Sequence, residues 1–165
     1  MSTNDAPSRE ELRAQVLLVD DEPEHAEVMA ESLRRPGHVC TIVNGLDAAR
    51  EELLHGAFDV VVTDLVMESE TSGLEVLALV QEHQPDAETI LVTAHGDVPT
   101  AKAALKGGAY DFIEKPLDLV VFRNLVDGAA ETVLLRHRTS RLEGQLEAAY
   151  GFEGIIGDSA GIRQV

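Results

Sequence analysis

Two aspartates stand side by side at the end of an apolar run, VLLVDD (16–21). Adjacent carboxylates repel each other, so the pair asks for a use. A third carboxylate, Asp64, ends the run FDVVVTD (58–64), and Thr93 ends TILVT (89–93). Lys115 follows the shorter run YDFIE (110–114). Three carboxylates drawn within a few ångströms cannot all stay ionised without a cation. Oxygen ligands favour a hard ion, and Mg²⁺ takes one or two carboxylates while keeping several waters. Such a shell is ready to receive phosphate oxygens. The Lys115 ammonium and the Thr93 hydroxyl would then neutralise a phosphoryl group on Asp64, aspartate being a phosphoryl acceptor. In this reading Asp20 and Asp21 hold the metal. Each residue also has a plainer use. Asp21 can cap the helix that Pro23 opens, Asp64 the helix after it, Thr93 can make a turn bond, and Lys115 can sit in water. What separates the two readings is whether all five converge.

Convergence depends on the elements that carry them. VLLVD (16–20), VCTIV (39–43), FDVVVTD, TILVT and YDFIE read as strands. Between them Ala26, Met29 and Leu33 fall at helical spacing, as do Leu46, Ala49 and Leu53. Leu74, Leu77 and Ala78 repeat it, and so do Ala101, Ala104 and Leu105. Breakers mark the joints at Pro36-Gly37, Asn44-Gly45, Gly56, Pro85 and Gly107-Gly108. The two most apolar strands lack polar alternation, which predicts burial on both faces of a parallel sheet. Five strands alternating with helices predict a doubly wound α/β domain. Ligands in such sheets gather at the carboxyl ends of strands near the switch in strand order. The polar groups above lie at those ends.

The composition is consistent with this. The chain has 165 residues, 44% of them hydrophobic, enough for one ordinary core with some chain left over. Thirty acidic residues against 13 basic ones give a net charge of −17. So negative a surface repels phosphate backbones, so no direct nucleic-acid binding by this segment is expected, and it suits a cation site. The single cysteine, Cys40, fits a reducing cytoplasm. The six histidines show no metal-binding spacing. No apolar run approaches a membrane span, and MSTNDAPSREE has no signal-peptide character.

Five stretches together carry a resemblance: VLLVDDEPE (16–24), VVVTDLVM (60–67), SGLEVL (72–77), LVTAHGD (91–97) and GAYDFIEKP (108–116). In this order they resemble the receiver domain of two-component response regulators, from about Gln15 to Arg136. The resemblance implies the flavodoxin-like receiver fold and a phosphoryl group passed from a sensor histidine kinase to Asp64. It implies Asp20 and Asp21 as the Mg²⁺ pair, with the Val66 main-chain carbonyl a further ligand beside Asp64. Thr93 resembles the switch hydroxyl and Phe112 the switch aromatic, with Lys115 completing the site. The Lys115–Pro116 bond resembles one the family holds in cis. The readout face would run over 97–136.

The loop after Asp64 departs from the family. It reads LVMESETSG, with Glu68 where the family has proline and Gly73 one residue late. Glu68 and Glu70 are expected to face water, as surface glutamates generally do. By the same resemblance, Val66 and His95 occupy positions that in receivers influence how water reaches the aspartyl phosphate. An apolar Val66 predicts a long-lived phosphoryl group, and His95 is expected at the surface.

The chain is expected to divide into a disordered lead (1–14), a receiver (15–136), a helical linker (137–150) and the start of a further domain (151–165). Val121, Leu125, Leu135, Leu142, Leu146 and Ala149 fit one heptad register, interrupted by Gly128, Thr132 and Thr139. That register predicts a homodimer paired through the 118–149 helix or through the receiver face. The last residues, GFEGIIGDSAGIRQV, resemble the opening of the AAA+ ATPase domain of sigma-54-dependent activators. No GxxxxGK[ST] phosphate loop and no helix-turn-helix occurs, so a non-enzymatic receiver and linker from a longer activator is expected. Receivers with other outputs share these words. A haloacid-dehalogenase-like phosphohydrolase would need an aspartate where Val66 stands. A nucleotide binder would need a phosphate-cradling loop where DDEPE stands. A constitutive docking module would need no intact site.

Overall fold

The computed structural model describes residues 12–149. Five strands and five α-helices alternate along it: β1 (Gln15–Val19), α1 (Pro23–Arg34), β2 (Val39–Val43), α2 (Leu46–His55), β3 (Val60–Asp64), α3 (Ser72–His83), β4 (Glu88–Thr93), α4 (Val98–Lys106), β5 (Asp111–Glu114) and α5 (Leu119–Ala149). A 3₁₀ turn, His95–Asp97, leads into α4. The strands form one parallel sheet in the order β2-β1-β3-β4-β5. This is the doubly wound fold the apolar runs imply. Contacts divide the chain into two compact units between Val133 and Leu134.

Side chains alternate across a strand, so neighbours in sequence enter opposite layers. Val16, Leu18, Val60, Val62, Ile90 and Val92 pack with Met29 and Leu33 of α1 and Phe122 and Val126 of α5. Leu17, Val19 and Val61 pack with Ala49 and Leu53 of α2 and Val76 and Val80 of α3. Leu91 joins Leu65, Leu77, Ala101 and Ala104 in a third cluster under α4. Both faces are thus covered, which is why VLLV and VVV carry no polar alternation. The chain leaves β1 for β2 on one side and returns to β3 on the other. The reversal opens a crevice at the carboxyl ends of β1 and β3.

The opposite end of the sheet is tied by a buried histidine. His38 Nδ1 accepts the Ala14 N–H at 3.0 Å, so its ring proton sits on Nε2, which donates to Asp127 Oδ1 at 2.8 Å. The bond joins the start of the sheet to α5. Ala14, which the sequence assigned to the disordered lead, is therefore part of the fold: it is buried, and its carbonyl accepts the Val39 N–H. Before β2 the chain turns at Gly37, whose φ of +114° suits glycine. Residues 1–11 and 150–165, with the expected further domain, lie outside the described residues.

Helix α5 continues through the expected linker as one helix to Ala149. Within the first unit its buried stripe is Phe122, Val126, Ala129, Ala130 and Val133, and Leu125 packs against the same core. Gly128 interrupts the heptad for a tertiary reason: a Cβ there would lie 2.9 Å from the Tyr110 hydroxyl. Val121, Leu135 and Leu142 are exposed. Among the described residues no helix is long and apolar enough to cross a membrane. Gly128→Leu, which would perfect the heptad, is expected to lower stability by about 1–3 kcal/mol through overpacking against Tyr110. Urea unfolding of the two proteins checks this.

Candidate functional site

The crevice between β1 and β3 gathers the acidic residues. Asp20 follows β1 directly, and its amide donates to the Val43 carbonyl at 3.0 Å, so the strand end is fixed from the β2 side. Its side chain is also held. Oδ1 accepts the Glu22 N–H at 2.9 Å and Oδ2 meets His25 Nδ1. Asp64 is the last residue of β3 and is 3% exposed. Oxygens of Asp20, Asp21 and Asp64 all lie within 4.8 Å of one another. Asp20 and Asp64 are buried, while Asp21 opens to solvent. A second acidic grouping, Asp20 with Glu22 and His25, shares the same carboxylate.

The plainer uses of these aspartates are not realised. The N-cap of α1 is Glu22 and that of α3 is Thr71, neither with a side-chain cap bond. Lys115 does not sit in water. Its Nζ lies 3.2 Å from Asp64 Oδ1, and its amide donates to the Thr93 carbonyl at 2.9 Å. The Lys115–Pro116 bond is cis.

Thr93 is buried at the end of β4, one residue beyond Val92, the register partner of Asp64. Its hydroxyl makes the expected turn bond, donating to the Ala94 carbonyl at 3.1 Å. Phe112 is not among the carboxylates. It pairs with Leu91 in register and packs, half-buried, with the cluster under α4. Val66 is 40% exposed in the loop after β3. The backbone on either side of it is fixed, Leu65 N–H by the Val92 carbonyl and Met67 N–H by the Ser69 carbonyl. The His95 side chain lies outside the described residues.

Gly73 accounts for how the longer loop returns. Its amide donates to the Leu65 carbonyl at 2.9 Å. A Cβ on it would stand 2.5 Å from the Asp64 carbonyl oxygen and 2.6 Å from Leu65 Cα. Only a residue without a side chain lets α3 start this close to β3, so the extra residue is absorbed before Gly73. Glu68, expected in water, corrects that expectation in part. It is exposed, but its Oε2 accepts the Leu46 N–H at 3.0 Å, at the start of α2. Nothing local marks that partner, which is 22 residues away in sequence.

The electrostatics follow from the packing. Burial pushes the Asp64 carboxyl up to about 7, the Asp20 carboxylate adds to the shift, and Lys115 opposes both. Burial works against the charge on Lys115, yet the Asp64, Asp20 and Glu22 carboxylates together outweigh it and the ammonium is stabilised overall. A group in this state lacks positive charge. Three carboxylates brought together, two of them buried, suit a hard divalent cation, so these residues fit Mg²⁺. Without one, the folded chain keeps a proton on Asp64 that the unfolded chain releases above 3.8. The fold therefore loses stability as pH rises from 3.8 to about 7. In chelator at about pH 8, Asp64→Asn is expected to unfold at a higher temperature than the parent, and the gap should close toward acid pH. Saturating Mg²⁺ should narrow or reverse it. Calorimetry across pH checks both.

Residues 16–127 match the response regulator receiver domain. The chain is 37% identical over 159 residues to the C4-dicarboxylate transport transcriptional regulatory protein DctD of Pseudomonas aeruginosa, covering 93% of this chain and 33% of that one. It is 32% identical to the nitrogen assimilation regulatory protein NtrX of Azorhizobium caulinodans, covering 78% of this chain and 28% of that one. It thus spans a third or less of these two relatives. NtrX from Brucella abortus superposes with a TM-score of 0.75 at 29% identity, over 89% of this chain and 32% of that one. The isolated receiver domain of that protein matches with a TM-score of 0.67 at 30% identity, over 71% of this chain and 98% of that one. With the ordered strand-end residues and the sheet order, the match over 16–127 establishes that the chain belongs to the response regulator receiver domain family.

Proposed function

We propose that Asp64 is the phosphoacceptor of this receiver and that Asp20, Asp21, Asp64 and the Val66 carbonyl hold Mg²⁺ beside it. The observation that carries this is the buried Asp64, with two further carboxylates and one ammonium converging on it. An Asp64 oxygen attacks the phosphorus of a phosphohistidine on a sensor kinase. The P–O bond forms as the P–N bond breaks, and the leaving imidazole nitrogen keeps the electron pair. When bound, Mg²⁺ supplies positive charge that offsets the phosphoryl oxygens. Lys115 favours the ionised acceptor and pairs with the incoming phosphoryl group. Thr93 exchanges its bond to Ala94 for one to that group, and Phe112 repacks against α4 behind it. Contacts made only in the phosphorylated state shift the equilibrium by no more than their differential free energy.

The output is proposed to belong to a sigma-54-dependent transcriptional activator acting in the cytoplasm. The relatives named as regulatory proteins support a transcriptional output, and the resemblance of the last fifteen residues of the sequence supports this class. The chain itself is read as non-enzymatic beyond its own phosphorylation. Phosphorylation is proposed to alter a homodimer paired through α5 or the 97–136 face, where exposed Val121, Leu135 and Leu142 favour the helix. An apolar Val66 orients no attacking water, so the phosphoryl group is expected to be long-lived.

Incubation with a small phosphodonor and Mg²⁺, followed by intact mass, tests the reading. The parent should gain one phosphoryl group and Asp64→Asn none. Lys115→Ala should react roughly a hundredfold more slowly, the order expected when a charge-stabilising donor is lost. An equal adduct on Asp64→Asn would contradict the assignment.

A further inference from the structure

The segments bearing the proposed metal ligands are joined by more than the sheet. On the β1 side, the Asp20 amide bonds to the Val43 carbonyl, which ends β2. Two residues on, Gly45 precedes α2, and the Leu46 N–H that opens this helix donates to Glu68. Glu68 lies two residues beyond Val66 and four beyond Asp64. A closed path therefore runs from Asp20 through the β2–α2 loop to Glu68 and back along the chain to Asp64. Without Glu68, the path is open on the side where the metal's main-chain ligand would sit.

We infer that Glu68 is a positioning residue for the metal site, clasping the loop after β3 to the start of α2 so that the Val66 carbonyl and Asp64 are held against Asp20 and Asp21. The inference rests on reading those four residues as the metal's ligands. Two observations support the clasp. The carboxylate sits at a helix N-terminus, where unpaired amides and the helix dipole favour an anion. Gly45 leaves room for it, since a Cβ there would stand 2.5 Å from Glu68 Oε2. The loop has internal support as well. Ser69 N–H donates to the buried Ser72 hydroxyl at 2.9 Å, and Thr71 Oγ1 donates to Glu75 at 2.8 Å. Only Glu68 reaches out of it to the β2 side among these bonds.

Gly45 provides a test that spares the clasp residue. Because the atom in its way is the far end of a flexible side chain, Gly45→Ala should displace the carboxylate and leave the backbone alone. Mg²⁺ affinity is read from amide shifts in NMR titrations of the folded proteins, well below their unfolding temperatures. Glu68→Ala is expected to weaken Mg²⁺ roughly tenfold, as loss of a group that orients metal ligands does. Glu68→Gln, whose amide oxygen can still accept the Leu46 N–H, should retain most of the affinity. Gly45→Ala should resemble Glu68→Ala, and the double variant should be no weaker than either single one. A general loss of stability would lower unfolding temperatures without producing this pattern. Parent-like Mg²⁺ affinity in Glu68→Ala, or additive effects of the two substitutions, would overturn the clasp alone. No saturable Mg²⁺ response in the parent would overturn the metal-site reading and the clasp together.

Discussion

The repulsion between Asp20 and Asp64 is the constraint around which this domain is arranged. Both carboxylates are buried, their oxygens lie within 4.8 Å, and among the described residues one ammonium, that of Lys115, faces them directly. Burial raises the carboxyl of Asp64 to about 7, so near neutrality the site is poised between holding a proton and holding a cation. That tension would serve the phosphoryl transfer proposed for Asp64. A carboxylate fully satisfied by hydrogen bonds would be a poor nucleophile, and one left alone in an apolar pocket would stay protonated. Lys115 tips the balance only partway, which leaves a need for positive charge that Mg²⁺ can meet.

The fold keeps this repulsion from being relieved by movement. Strands β1 and β3 pair side by side, with Val19 opposite Thr63, and both are covered on two faces. Asp20 is held through its amide and both carboxylate oxygens, and Gly73 brings α3 onto the end of β3. Lys115 arrives from β5, its amide on Thr93, so the base and the hydroxyl share one anchor. The residues proposed to respond lie on the β4–β5 side. The Thr93 hydroxyl bonds the local Ala94 carbonyl, and Phe112 is half-buried under α4. On the proposed reading, the β1–β3 side would hold charge and the β4–β5 side would report it.

Much of this was legible in the residues. Strands buried on two faces write themselves as unbroken apolar runs, so their polar ends, Asp20, Asp64 and Thr93, stood out without any tertiary knowledge. Lys115 was legible only with Pro116 beside it and the other stretches in order. Glu68 was not, because its partner amide is distant in sequence and a lone glutamate in a polar loop looks like any solvated one. Gly128 reads as a flaw in a heptad until Tyr110 is seen against it. Ala14 and His38 were missed for a similar reason: a short apolar residue before a strand and a single histidine carry no periodic signal. Helix α5 shows the same limit, since one stripe of it serves the core and its heptad pattern spans both units.

The most direct measurement of the central claim is the ionisation of Asp64 itself, followed by carboxyl-carbon NMR across pH with and without Mg²⁺. The account predicts a midpoint far above that of an ordinary aspartate in chelator, near 7, moving sharply downward when Mg²⁺ saturates the site. A midpoint close to 3.8 that Mg²⁺ leaves in place would show that no unmet charge exists at this strand end, and would contradict the account.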